Sequence, residues 1–305
     1  FAFTGLPMGV YAIRPSKAIY TFSPPSLSVG VPPSAANVGF TGQPEIAPIS
    51  IDFELTRDGY SFPNFNDPNG RDFHKEDLAR MCGWEMTCAN PQAPGASCQI
   101  KPEADKWLKN VADDAIGHCH GMATSALRFF TGHDQPSQFQ DGAMTVFGIN
   151  LAHSRRNITW HHVLQYLPNM MPQEVNPVAA LQQVYQALQT GGGALVDLSV
   201  YDQAKTMGHT VLPYAIEDAG GGAWRILVYD NATPGDSTRY ILVDTLAGTF
   251  SSNLQGGPGS WTGAMGIAPL DTYLQTPACN WTGEAGAQEA TVYTSVVSAG
   301  LTGLL

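Results

Sequence analysis

The glycine triplet Gly191–Gly193 divides the chain into two regimes. Before it, from about residue 100, apolar residues recur at intervals of three and four. After it, they fall into short blocks bounded by Gly, Asn or Asp. The first pattern is the period of a helix with one buried face, and the second is that of strands. Helices collected in one stretch and strands in the next bury their apolar faces best by packing helices onto an antiparallel sheet, so the expected class is α+β.

Within the helical stretch, "PEADKWLKNVA" predicts a helix over 102–112, with Pro102 at its first position and acidic residues in its first turn. "CHGMATSALRFF" predicts a second, with Ala123, Ala126, Leu127 and Phe130 on one stripe and Gly132 as its stop. "NITWHHVLQYLP" reads as a helix over 157–168 ended by Pro168, with His161 and His162 facing loop or solvent. "NPVAALQQVYQALQTG" is the most regular, opened by Pro177 and closed by the glycine run. A short helix is expected around "HKEDLARM". The strand regime holds "GALVDLSVY", "GHTVLPYAIED", "AWRILVYDN" and "RYILVDT". Residues 1–50, rich in Pro, Ser and Gly, read as an extended N-terminal arm packed on a main domain at 51–270. Residues 271–305 read as a tail or added strands.

A net charge of −11 opposes nucleic acid and anionic membrane surfaces as partners. No apolar run approaches the roughly 18–20 residues that span a bilayer. The first residue is Phe1, which suits a trimmed, mature chain. Five cysteines are present, and Cys82, Cys88 and Cys98 crowd a loop-like segment. Such spacing suits disulfides in an exported protein, with four cysteines paired and one left as a thiol. Pairing of Cys119 with Cys279 is one possibility the sequence leaves open. Asn157, Asn231 and Asn280 each begin a glycosylation triplet.

Cys119 stands at the start of the second helix, in "GHCHGMA". First-turn N–H groups lack intrahelical partners and the helix dipole is positive there, so both favour thiolate. Gly117 and Gly121 are expected to leave room beside the sulfur. A thiolate nucleophile wants an imidazole partner, itself oriented by an acceptor. His209 opens the strand "GHTVLPY", and Asp230 closes the strand "WRILVYD". A hairpin of 209–216 with 224–230 sets them nearly opposite each other. Asn231 is an alternative orienter, on the opposite strand face from Asp230. His118, Cys119 and His120, with His133, His161 and His162, lack the second ligand cluster a zinc site needs. Asp230, Asp236 and Asp244 match no calcium-loop spacing. The expected site uses no metal and no cofactor.

"GHCHGMA" resembles the G-x-C-x-G-M-(A/S) nucleophile signature of bacterial papain-like proteins, and it keeps the G-x-C-x-x-x-A frame of transglutaminase-like cores. "GHTVLPYAIED…WRILVYDNATPG" resembles the segment that carries base and orienter in the papain-like cysteine peptidase superfamily, which includes bacteriocin-leader-peptidase-like branches. The likeness covers roughly residues 100–250. It implies a papain-like fold, with Cys119 as nucleophile, His209 as general base and Asp230 as orienter. The implied protein is an exported or cell-surface cysteine hydrolase acting on a peptide or protein. A transglutaminase-like acyltransferase and an inactive papain-like binding module remain as alternatives. One departure stands out: papain-like peptidases carry a Gln shortly before the Cys to hold the oxyanion, and "VADDAIG" has none. His118 and Asn110 are the candidate substitutes.

Overall fold

The computed structural model describes residues 4–17, 19–31, 38–66, 72–90, 97–114, 117–255 and 261–281. The chain divides into two compact units, Phe1–Pro48 and Ile49–Leu305. The first holds β1 (Gly9–Ile13), β2 (Tyr20–Ser23), β3 (Leu27–Val31) and β4 (Thr41–Pro44). They pair as two antiparallel ribbons, β1 with β3 and β2 with β4. The expected extended arm is therefore a paired structure of its own. Alternation in "GVYAI" and "LSVGV" gives each strand of the first ribbon one half-buried face.

The second unit begins with β5 (Ile49–Ser50), followed by α1 (Lys75–Cys82), α2 (Trp84–Thr87), α3 (Pro102–Asp114), α4 (Cys119–Phe130) and α5 (Leu151–Leu164). It continues with β6 (Gln173–Val175), α6 (Pro177–Thr190), β7 (Val196–Tyr201), β8 (Gly208–Gly220), β9 (Ala223–Tyr229), β10 (Tyr240–Asp244), β11 (Thr249–Ser252), β12 (Met265–Pro269) and α7 (Leu270–Tyr273). The sheet runs β11-β10-β9-β8-β7-β12-β6, with β5 added on β8, and every pairing is antiparallel. This is the α+β arrangement that the change of period at the glycine triplet requires.

α4 is the central helix. His120 through Leu127 and Phe129 are all buried, against α5 on one side and β7 and β8 on the other. A helix enclosed all round needs small residues where its neighbours come close. At Gly121 a Cβ would stand 2.0 Å from the Ile158 carbonyl oxygen and 2.8 Å from the His162 nitrogen. Gly121 thus serves the contact of α4 with α5, and the expected room beside the sulfur is not its purpose.

α5 begins at Leu151, six residues before the expected start, with Asn150 at the N-cap position. Its buried face is largely polar: Ser154, Thr159, His161 and His162 sit beside Ile158 and Val163. An apolar period could not reveal such a face. The two histidines expected toward loop or solvent are buried because Gly121 lets α5 close onto α4.

Two disulfides form, Cys82–Cys279 and Cys88–Cys98, and Cys119 is a free thiol. Pairing of Cys119 with Cys279 is thereby excluded. The first bridge joins α1 to the segment after α7, across 197 residues of sequence. Residues 282–305, most of the expected tail, lie outside the described residues. Among the described residues, no helix is long and apolar enough to cross a membrane.

Candidate active site

Cys119 is the first residue of α4, after His118 as N-cap. Its side chain is half-buried, whereas both neighbouring histidines are fully buried. The helix thus turns one reactive group outward at its positive end and encloses the rest.

His209 is the second residue of β8 and pairs with Val200 of β7. Asp230 follows β9 directly. Leu212 lies opposite Tyr229, so one further step of register sets Val211 opposite Asp230. His209, two residues before Val211, is then the diagonal neighbour of Asp230 on the same sheet face. The His209 Nε2 to Asp230 Oδ1 distance is 2.7 Å, with both side chains buried. That bond leaves Nδ1 for the Cys119 sulfur, which the ring also hydrogen-bonds.

The electrostatics follow from these contacts. Burial alone would raise the Cys119 thiol pKa. The His209 hydrogen bond and charge, with the N–H groups of Thr210 and His120, outweigh it and hold the thiol below its ordinary value. Burial would likewise lower His209, but Asp230 and then Cys119 push it up to about 10. Asp230 is held below the ordinary carboxylate range. Its burial is outweighed by His209 and by the N–H groups of Gln255, at 3.1 Å, and Ala232, at 3.0 Å. All three shifts favour the charged forms: thiolate, imidazolium and carboxylate.

Asn231 is not an orienter of the imidazole. Its Nδ2 donates to the carbonyl oxygens of Cys119 and Thr210, at 2.9 Å each. It ties the Cys119 backbone to the strand that carries His209. This commitment, with full burial, also closes Asn231 to glycosylation in the folded chain. Its own carbonyl accepts the N–H of Asn64 at 2.8 Å, and Asn64 Oδ1 accepts the His118 N–H at 2.7 Å.

Neither expected oxyanion donor is confirmed. His118 is fully buried, stacked on Phe65 at 4.4 Å, with Nδ1 3.0 Å from the Phe65 carbonyl. Its backbone N–H is spent on Asn64. Asn110 sits on α3, which packs against α1, and no hydrogen bond joins it to the Cys119 surroundings among the described residues. The acidic trio also disperses: Asp236 binds Thr238 and Arg239, Asp244 caps the turn at Leu246 and Ala247, and Asp230 serves His209. No group of three or more His, Cys, Asp or Glu side chains is arranged to hold a metal among the described residues.

Two participants gave no local signal in the sequence. Trp261 stacks on His209, with ring centroids 5.8 Å apart and planes at 26°, and its Nε1 is fixed on the Gln255 carbonyl at 2.9 Å. Asn64 lies in "SFPNFNDPNG", which reads only as loop chemistry. No family model matches this chain, and neither a curated protein nor a solved structure does.

Proposed function

We propose that this protein is a cysteine hydrolase of papain-like type that cleaves a peptide or isopeptide bond through an acyl-enzyme on Cys119. The observation that carries the reading is the hydrogen-bonded series Cys119–His209–Asp230, with the sulfur at a helix N-terminus. The thiolate attacks the amide carbonyl carbon: a C–S bond forms and the carbonyl π pair moves onto oxygen. Collapse of the tetrahedral species breaks the C–N bond, and His209 gives its proton to the leaving amine. The neutral imidazole then takes a proton from water as the hydroxyl attacks the thioester. The acid product leaves, and thiolate and imidazolium are restored. Asp230 holds the ring and its charge throughout. The protein works in an oxidising, extracellular setting, where two disulfides persist.

The test is iodoacetamide labelling of the native chain against pH, with the modified residue located by mass spectrometry. Labelling of Cys119 with an apparent pKa well below about 8.5 is the expected result. A Cys119 that labels no faster than a free thiol overturns the reading and leaves a papain-like binding module. Once labelling is established, incubation of peptide libraries with and without a primary amine separates hydrolysis from acyl transfer.

A further inference from the structure

The missing glutamine leaves a hole to be filled, since an acyl transfer at Cys119 needs donors for the oxygen that becomes negative. One donor is the Cys119 N–H, which as the first N–H of α4 has no intrahelical acceptor. We propose that the second is the carboxamide N–H of Asn64, delivered from a loop 54 residues before His118. This inference rests on the hydrolase reading above.

Three observations converge on Asn64. It is anchored at both ends: its backbone N–H donates to the Asn231 carbonyl, and its Oδ1 accepts from the His118 N–H. Asn231 is itself pinned to Cys119 and Thr210, so the loop is held in register with both nucleophile and base. The amide orientation is determined, because a backbone N–H must face the oxygen of the carboxamide and not its NH2. Nδ2 therefore has both hydrogens unused among the described residues. It stands 3.0 Å from where a Cβ of Gly117 would be, at the entrance of the nucleophile helix. That proximity gives Gly117 its role, since a side chain there presses on the amide. Asn64 is only half-buried, as a group that meets substrate must be. The expected rivals are spent or elsewhere, His118 on Phe65 and Asn110 on α3.

The experiment compares two reactions of Cys119 in the full chain. Alkylation by iodoacetamide displaces iodide and builds no oxyanion, whereas acylation by p-nitrophenyl acetate passes through one. Asn64→Ala removes the amide. Asn64→Asp keeps an acceptor for the His118 N–H and replaces the donor by a carboxylate, which guards against a folding defect and repels the oxyanion. The expected result is a ratio of acylation to alkylation lowered about 10²–10³-fold in both variants, the usual cost of one oxyanion donor. Gly117→Ala should lower the ratio less, by displacing the amide. A ratio unchanged in both Asn64 variants overturns the proposal. So does a parallel fall in both reactions, which would make Asn64 a support for the nucleophile alone. Failure of the parent reading looks different: the unaltered chain would then show no selective alkylation of Cys119 at all.

Discussion

Two histidine–aspartate pairs flank Cys119, and folding treats them oppositely. His209 and Asp230 are 2.7 Å apart, at the mouth of the site beside the thiol. His120 and Asp197 are 3.4 Å apart, fully buried beneath α4. In the first pair, hydrogen bonds donated by the His209 ring to Asp230 and Cys119 outweigh burial, and the imidazole is pushed up to about 10. In the second, burial dominates. It pushes His120 down to about 3, with His161 adding to the fall, and Asp197 up to about 7 despite bonds from Tyr273 and Thr124. Below about pH 7 the buried pair is thus a neutral acid beside a neutral imidazole, and its 3.4 Å contact is not an ion pair.

The proton accounts mirror each other. Folding shifts the first pair's proton from the thiol toward the imidazole, since it lowers Cys119 and raises His209 to about 10, whereas the unfolded chain between about pH 6.5 and 8.5 holds that proton on the thiol. Between about pH 4 and 6.5, the native buried pair holds its proton on Asp197, and the unfolded chain holds it on the imidazole. Folding moves the proton in opposite senses in the two pairs, toward charge in one and away from it in the other. The relocation in the buried pair leaves stability independent of pH between about 4 and 6.5, because the number of bound protons is equal on both sides. The lesson is that residue type does not decide charge here. A third partner does, the thiol in one case and an enclosing helix in the other.

The largest effect should come from His209→Ala. Without the imidazolium, the thiol returns to an ordinary or higher value, at which at most about one molecule in 10²–10³ is thiolate at pH 6. Iodoacetamide labelling at pH 6 should fall accordingly, and equal labelling would remove the asymmetry between the pairs. Asp230→Asn keeps the shape but loses the charge that holds the proton on His209. Labelling at pH 6 should drop about tenfold, with the alkaline limb of acylation moving below about pH 10. The matched change Asp197→Asn should leave labelling within about twofold, since the amide resembles the neutral acid already there.

Asp197→Asn should instead expose the other half of the account. The raised Asp197 makes stability fall as pH rises from about 4 toward 7, and the lowered His120 makes it fall as pH drops from about 6.5 toward 3. With Asp197 gone, the His120 contribution stands alone, about 1.4 kcal/mol per pH unit. Urea unfolding at pH 6.5 and 4.5 should therefore show the variant losing about 3 kcal/mol more than the unaltered chain. Equal losses would mean that the buried pair is charged after all.

These contrasts also mark what a sequence discloses. Cys119, His209 and Asp230 were legible because each sits at the edge of a short element whose period is plain. The helix–strand order then brings those edges together. The role of Asn231 was not legible, since strand alternation gives its direction but not the two carbonyls it meets. Asn64 arrives from a loop by contacts of long sequence separation, which no local pattern records. The start of α5 was hidden because its buried face carries Ser154, His161 and His162 where an apolar stripe is sought. His120 and Asp197 were hidden for the same reason: polar residues read as surface, although both face a closed core.

Trp261 offers the smallest and most discriminating test. Its ring lies nearly parallel to His209 and is buried, whereas His120 meets Tyr273 edge-on, at 5.0 Å and 74°. A flat indole face is the arrangement that stabilises a cation, at about 0.5–2 kcal/mol, so it favours imidazolium over imidazole. Removal by Trp261→Ala also admits water, which screens the Asp230 bond in the same direction and relieves burial in the other. The first two effects should prevail, because the Asp230 bond is short and otherwise enclosed. The His209 pKa should fall by under one unit, read by NMR titration of its ring protons, and Trp261→Phe should retain most of the value. A rise in the His209 pKa in Trp261→Ala would show that the indole acts mainly by excluding water. The contrast between the two pairs would then rest on hydrogen bonds alone.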